Sequence, residues 1–268
     1  MMKNLVYTPT MCIPTGWKCA SFPSAAPSEG VHIWAWDYLF SDETLDRCTS
    51  LLSSDERFRM QRLRFAKDRA RYAVSHANLR TILGRYLDLP PSAVAFCFSH
   101  FGKPVLSPIL LRPFNLNFNM SHTRCLSLLA ISTDFELGID VEEIRPIERD
   151  LADRHFSEFE RAQLNHLQED MWLKGFYNCW TRKEAILKAE GVGLHAKLDA
   201  FDVTLRPNSI AALLGYQPDS RLTKNWHLID IDLSQNYSAA LAISEMPRSI
   251  EHRKFMESSE PQITGGSW

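Results

Sequence analysis

Trp180-Thr181-Arg182-Lys183-Glu184-Ala185-Ile186-Leu187-Lys188-Ala189-Glu190-Gly191 is the stretch whose reading decides the fold of this 268-residue chain. It is a run of strong helix formers, stopped by Gly191-Val192-Gly193. Leu173, Phe176, Tyr177, Trp180 and Leu187 recur at helical spacing and define a core-facing stripe. Glu184 falls on that stripe, where an amphipathic helix should carry another apolar residue. A carboxylate on a buried face needs a cation, a metal or hydrogen-bond donors around it. An i,i+4 pair with Lys188 at the edge of the stripe would also satisfy it, at a gain of only a few tenths of a kcal/mol.

A second acidic motif lies upstream. In Leu137-Gly138-Ile139-Asp140-Val141-Glu142-Glu143, strand alternation puts Leu137, Ile139 and Val141 on one face. Asp140 and Glu142 then share the other face, where they repel each other unless a cation or solvent lies between them. Together with Glu184 they make three hard oxygen donors, a set suited to Mg²⁺ and phosphates. The D-x-E spacing is common by chance and gains weight only beside the Glu184 helix.

Composition narrows the class. Apolar residues make up 45% and charged residues 23%, ordinary globular values, and the length allows one large domain or two of usual size. A net charge of −2 argues against bulk binding to nucleic acid or to a membrane. Any phosphate site must be a local basic cluster. The six cysteines show no C-x-x-C and read as reduced thiols. Pro9 and Pro14 interrupt the N-terminal apolar residues, and no run reaches membrane-span length, so a cytoplasmic location is expected.

Taken in order, residues 1–30 read as an irregular arm. Val31 to Trp36 alternates as a strand, and Ser53 with Glu56 has the spacing of a capping box. A dense basic set follows: Arg57, Arg59, Arg62, Arg64, Lys67, Arg69, Arg71 and Arg80. Most of these belong to solvated faces. Gly102-Lys103-Pro104 reads as a turn after a strand at Val94 to Phe98. Leu116, Phe118 and Met120 alternate with Asn117, Asn119 and Ser121, which gives a strand with one polar face ending at Ser121-His122. Further strands are expected over Cys125–Ile131, Leu137–Glu142, Phe201–Leu205, Trp226–Leu233 and Ala239–Ser244. Ile144 to Glu148 reads as a linker. Ser157-x-x-Glu160-Arg161 repeats Ser53-x-x-Glu56-Arg57, and each pair opens helical sequence, which points to two similar halves. From Pro247 the chain turns polar and a frayed tail is expected.

Four motifs therefore stand in one order: Gly102-Lys103-Pro104, Asn119-Met120-Ser121-His122, Gly138-Ile139-Asp140-Val141-Glu142, and Trp180-Thr181-Arg182-Lys183-Glu184-Ala185-x-x-Lys188-Ala189-x-Gly191-x-Gly193-Leu194. This set resembles the 4′-phosphopantetheinyl transferase family in its long, single-chain Sfp-type form, over about residues 31–245. Met120 stands where Ile or Leu is more usual, a tolerable core exchange.

The resemblance implies an α+β fold of two pseudo-symmetric α/β subdomains with the active site between them. The corresponding division is an arm at 1–30, halves at 31–143 and 144–246, and a flexible tail at 247–268. It also implies coenzyme A as substrate and Mg²⁺, or Mn²⁺, as cofactor. The partner would be an apo acyl or peptidyl carrier protein of fatty-acid, polyketide, non-ribosomal peptide or lysine metabolism. The phosphopantetheine arm would pass to a carrier serine with release of 3′,5′-ADP, and a monomer is expected.

By the same resemblance Asp140, Glu142 and Glu184 would hold the metal. Glu184 would take the serine proton, directly or through a metal-bound water. Lys188 would stabilise the leaving pyrophosphate oxygen. Arg59 would bind the 3′-phosphate, Lys103 the adenosine diphosphate end, and Ser121 with His122 the 3′-phosphate. Lys183 faces elsewhere and is a weaker phosphate candidate, while Trp180 is assigned to packing. Two rival readings compete. A Mg²⁺ nuclease would need a basic groove, which the net charge does not suggest. A non-catalytic CoA-binding scaffold would have no use for an unpaired acidic trio.

Overall fold

Both expected capping boxes form. Ser53 accepts from the Glu56 N–H while Glu56 reaches back to the Ser53 N–H, and Ser157 with Glu160 does the same. Each satisfies two of the amide donors that a helix start leaves unpaired. The computed structural model describes residues 12–19, 22, 26–38, 41–110, 115–193, 197–216 and 225–256.

The first half comprises β1 (Lys18–Cys19), β2 (Gly30–Asp37), α1 (Asp42–Leu51), α2 (Ser54–Gln61), α3 (Ala66–Leu87), β3 (Phe96–Phe98), β4 (Pro104–Leu106), β5 (Asn117–His122) and β6 (Leu126–Ser132). The second comprises β7 (Leu137–Glu143), α4 (Asp150–His155), α5 (Glu158–Asn165), α6 (Glu169–Glu190), β8 (Phe201–Val203), β9 (Leu213–Tyr216), β10 (His227–Asp230) and β11 (Tyr237–Ile243), and β12 (Ser249–Lys254) then returns to the sheet of the first.

The halves repeat one plan. A strand leads through two short helices into a helix of 22 residues, then a small hairpin, then two antiparallel strands. The unit β2-β6-β5 of one sheet matches β7-β11-β10 of the other. Both long helices stop at a left-handed residue, Asp88 (φ 53°) and Gly191 (φ 71°). Each half also buries one ion pair at the same place, Arg80–Glu56 at 2.7 Å and Lys183–Glu160 at 2.8 Å.

The alternation read from the sequence decides the packing. Odd-numbered residues of β2 (Val31, Ile33, Ala35) and β7 (Leu137, Ile139, Val141) meet in one apolar cluster that joins the two sheets. Even-numbered residues face the long helices, with Trp34 and Trp36 against α3. Ala240 and Ala242 of β11 leave room for Phe176 and Ile186 of α6.

Three boundaries differ from expectation. β7 is hydrogen-bonded to β11, so the halves divide before Leu137 and not after Glu143. Hydrogen bonding to β11 outweighs the adjacency in sequence that would keep β7 with β6. Secondly, residues 249–254 are not a frayed tail. β12 lies parallel to β2 and between it and β1, and Phe255 continues into the cluster under α3. Ile250 is its one apolar residue and Arg253, buried with its guanidinium 5.5 Å from the Trp34 ring, lies on the opposite face, so a strand forms from a sequence with little hydrophobic signal. Thirdly, the arm contributes β1 and buries Cys12, Ile13 and Trp17. Residues 1–11 of the expected arm, 257–268 of the expected tail, and Leu194 of the fourth motif lie outside the described residues.

Candidate active site

Gly138 brings the two acidic motifs together. A Cβ at this position would lie 2.2 Å from Ala185 O, 2.3 Å from Ala189 N and 2.8 Å from Lys188 C, all backbone atoms of α6. Only glycine lets the helix rest directly on β7. That contact, two residues before Asp140, delivers the Lys188 ammonium to Asp140 Oδ1 at 2.6 Å.

Asp140 is 3% exposed. Its Oδ1 also accepts from the Ser121 hydroxyl at 2.9 Å, while Oδ2 is buried without a hydrogen-bond partner. An unpartnered buried carboxylate oxygen is expensive unless something electropositive meets it. Glu142 and Glu184 are half-buried nearby. Burial, then the charges of Asp140 and Glu184, push the Glu142 carboxyl up to about 7, against the pull of Lys188. Burial and Asp140 raise Glu184 in the same way. The three carboxyls thus feel one another's charge, with one ammonium among them.

At the site the halves are joined by polar bonds from β5 to β7. Asn119 Oδ1 accepts the Ile139 N–H at 2.9 Å, and Ser121 Oγ accepts the Val141 N–H at 3.3 Å. Ser121 Oγ further accepts from Lys188 Nζ at 2.9 Å. With one donated and two accepted bonds the hydroxyl is saturated. Ser121 therefore braces Asp140 and Lys188. His122 stands at the rim; burial, then Lys188 and Arg71, lower its pKa. His76 feels His122 and stacks on Tyr72 at 3.8 Å.

A family model described as the 4′-phosphopantetheinyl transferase superfamily matches residues 136–242, and one described as 4′-phosphopantetheinyl transferase, N-terminal, matches residues 36–134. The break between the two spans falls in the turn between β6 and β7. The 4′-phosphopantetheinyl transferase HetI of a Nostoc species is 34% identical over 81% of this chain and 89% of its own length. The chain belongs to the 4′-phosphopantetheinyl transferase superfamily. Sfp of Bacillus subtilis, also a 4′-phosphopantetheinyl transferase, is 27% identical over 80% of this chain and 92% of its own. The L-aminoadipate-semialdehyde dehydrogenase-phosphopantetheinyl transferase of rat is 25% identical over 78% and 73%.

In this 4′-phosphopantetheinyl transferase the four remaining residues singled out from the sequence fall in separate places. Arg59 is exposed, with its guanidinium 4.8 Å from the Phe98 ring, beside the Ser99–Lys103 turn. Its charge is felt at Tyr72, whose ring stacks on His76. Lys103 gives its ammonium to two backbone carbonyls, Ala189 O at 3.0 Å and Leu137 O at 3.1 Å. Lys183 is fully buried on Glu160, far from the role of phosphate ligand, and donates to the carbonyls of Leu198 and Phe201 as well. Trp180 packs, stacked on Phe176 at 5.8 Å.

Asn119 and Gly138 escaped the sequence reading as functional residues. The polar face of β5 was the available signal for Asn119. Gly138 opens the third motif of the sequence, and its reason appears only with α6 in place.

Among the described residues no three carboxylate, histidine or cysteine side chains are gathered closely enough to hold a metal ion as they stand. The Lys188 ammonium takes the Oδ1 of Asp140 instead. The donor set nonetheless suits a hard divalent cation: all oxygen, mutually repelling, with Asp140 Oδ2 unpartnered. No described helix is long and apolar enough to cross a membrane.

Proposed function

We propose that this enzyme transfers the 4′-phosphopantetheine arm of coenzyme A to a serine of an apo acyl or peptidyl carrier protein, with Mg²⁺ (Mn²⁺ substituting), and releases 3′,5′-ADP. The observation that supports this most directly is the buried, unpartnered Oδ2 of Asp140 among Glu142, Glu184 and Lys188 at the junction of the halves. Asp140, Glu142 and Glu184 would hold the cation, which when bound offsets the charge of the pyrophosphate.

The chain's own residues carry the rest. Glu184, its basicity raised by burial and by Asp140, accepts the proton of the carrier serine. The serine oxygen forms a bond to the phosphorus that bears pantetheine, and the pyrophosphate P–O bond breaks to leave 3′,5′-ADP. Lys188 stays at the carboxylate cluster, where its ammonium offsets negative charge on the departing group. An electrostatic donor in such a place is worth about 10²–10³ in rate. His122 and exposed Arg59 line the side of the cleft suited to the 3′-phosphate.

A single chain supplies both walls of the cleft, which favours a monomer. None of the six cysteines forms a disulfide, as suits the reducing cytoplasm.

The test is chromatographic detection of 3′,5′-ADP from CoA. It should appear only with both an apo carrier and a divalent cation, and Glu184→Gln should abolish it while leaving the thermal melt unchanged. CoA binding that ignores Mg²⁺, with no 3′,5′-ADP from several carriers, would instead favour the scaffold reading.

A further inference from the structure

Lys103 belongs to the first half, but its ammonium is committed to the second. The turn that carries it is closed by three bonds: Ser99 N–H to Lys103 O at 2.9 Å, Gly102 N–H to Ser99 O at 2.9 Å, and Lys103 N–H to Ser99 Oγ at 3.1 Å. Gly102 takes the left-handed conformation the turn requires, at φ 86°. From there the side chain crosses Gly191, where a Cβ would meet Lys103 Cδ at 3.2 Å. The ammonium ends on Ala189 O and Leu137 O.

Those carbonyls sit on the two elements that build the site. Ala189 follows Lys188 in the last turn of α6, and Leu137 opens β7 three residues before Asp140. A helix leaves its last carbonyls without intrahelical partners, at the negative end of its dipole, so an ammonium is well held there. Gly138 allows the α6 and β7 backbones to touch, but van der Waals contact has no direction and tolerates sliding. Two charge-assisted bonds from one rigid turn remove that freedom.

We propose that Lys103 is a positioning residue. It latches the end of α6 to the start of β7 and so fixes Lys188 against Asp140, and it is not a ligand of the CoA phosphates. The part of this inference that concerns turnover rests on the function proposed above.

The test compares Lys103→Met, which keeps the stem and removes the donor, with Lys103→Arg, which restores one. In Lys103→Met, turnover at saturating CoA should fall about tenfold or more, the scale of a small misplacement of reacting groups. The Kd for CoA measured with Mg²⁺ should stay within about threefold of wild type, the sign of a loss in turnover and not in binding. Amide hydrogen exchange should quicken in residues 137–140 and 186–191, and Lys103→Arg should recover most of both effects. A weaker CoA affinity, unchanged turnover, or unchanged exchange in the methionine variant would each overturn the latch. The exchange measurement needs no carrier. If the wild-type chain transfers nothing, the functional reading fails while the exchange pattern still decides the role of Lys103.

Discussion

Gly138→Ala is the substitution with the largest consequence per atom added. The new methyl would stand 2.2 Å and 2.3 Å from backbone atoms of Ala185 and Ala189. Carbon contacts settle at about 3.5–4.0 Å, so helix and strand must part by about 1 Å or more. No flexible side chain can absorb this, because all three of the nearest atoms are main chain. Overpacking of this kind costs about 1–3 kcal/mol, and the rigid neighbours put it at the upper end. A loss of about 3 kcal/mol lowers the melting temperature by about 6–12 °C in a domain of this size. The same displacement carries Lys188 away from Asp140, now 2.6 Å apart. Misplacing a reacting group by about 1 Å can cost about 100-fold in rate. Urea unfolding and carrier-labelling rates on purified Gly138→Ala read both effects. Wild-type stability and wild-type rate together would refute the claim that backbone contact between α6 and β7 assembles the site.

Three further perturbations have definite expected outcomes. The Trp34 Nε1–H donates to the Tyr86 hydroxyl at 2.9 Å, so the Tyr86 proton is directed to His32 Nδ1 at 2.7 Å, and burial with Arg253 holds His32 down to about 4. Unfolded histidine titrates near ~6.5, so below that pH only the unfolded chain gains the proton; stability should fall as pH drops from about 6.5 to about 4, by up to about 3 kcal/mol. Urea titrations at several pH values should show a flatter acid limb in His32→Gln, and identical limbs would sink the assignment. Lys183→Met strands the fully buried Glu160, whose carboxyl is already raised by burial, and should cost about 3–5 kcal/mol while leaving CoA affinity unchanged; weakened CoA binding in a stable variant would restore Lys183 as a phosphate ligand. Phe255→Ala empties a place against Trp34 and Trp36 and should cost about 3 kcal/mol in chemical unfolding, whereas no loss would mean that β12 is dispensable.

The duplicated plan was legible in the sequence because capping boxes and alternation are local signals. Ser53-x-x-Glu56 and Ser157-x-x-Glu160 specify helix starts whatever surrounds them. The strand periods of β2, β5 and β7 likewise fixed which residues turn inward. What stayed hidden depends on distant partners. β12 gains its place from the open edge of β2, and nothing within Ser249–Lys254 announces it. Lys103 looks like an exposed turn lysine until α6 ends beside it.

Comparing the halves also shows why there is one site and not two. Counted along the equal helices, Glu184 and Lys188 correspond to Thr81 and Arg85. Through the β2–β6 and β7–β11 registers, Asp140 and Glu142 correspond to Trp34 and Trp36. Where one half keeps carboxylates beside Lys188, the other has indoles packed against Phe255. Those positions of the first half thus serve its core.

The central claim is best tested by the intact mass of an apo carrier protein incubated with this enzyme, CoA and Mg²⁺. The account predicts a gain of about 340 Da on the carrier, the mass of one phosphopantetheine arm delivered by phosphoryl transfer. The gain should vanish with EDTA, with Glu184→Gln, or with the carrier serine changed to alanine. Unmodified mass across several acyl and peptidyl carriers, from enzyme that binds CoA tightly, would contradict it.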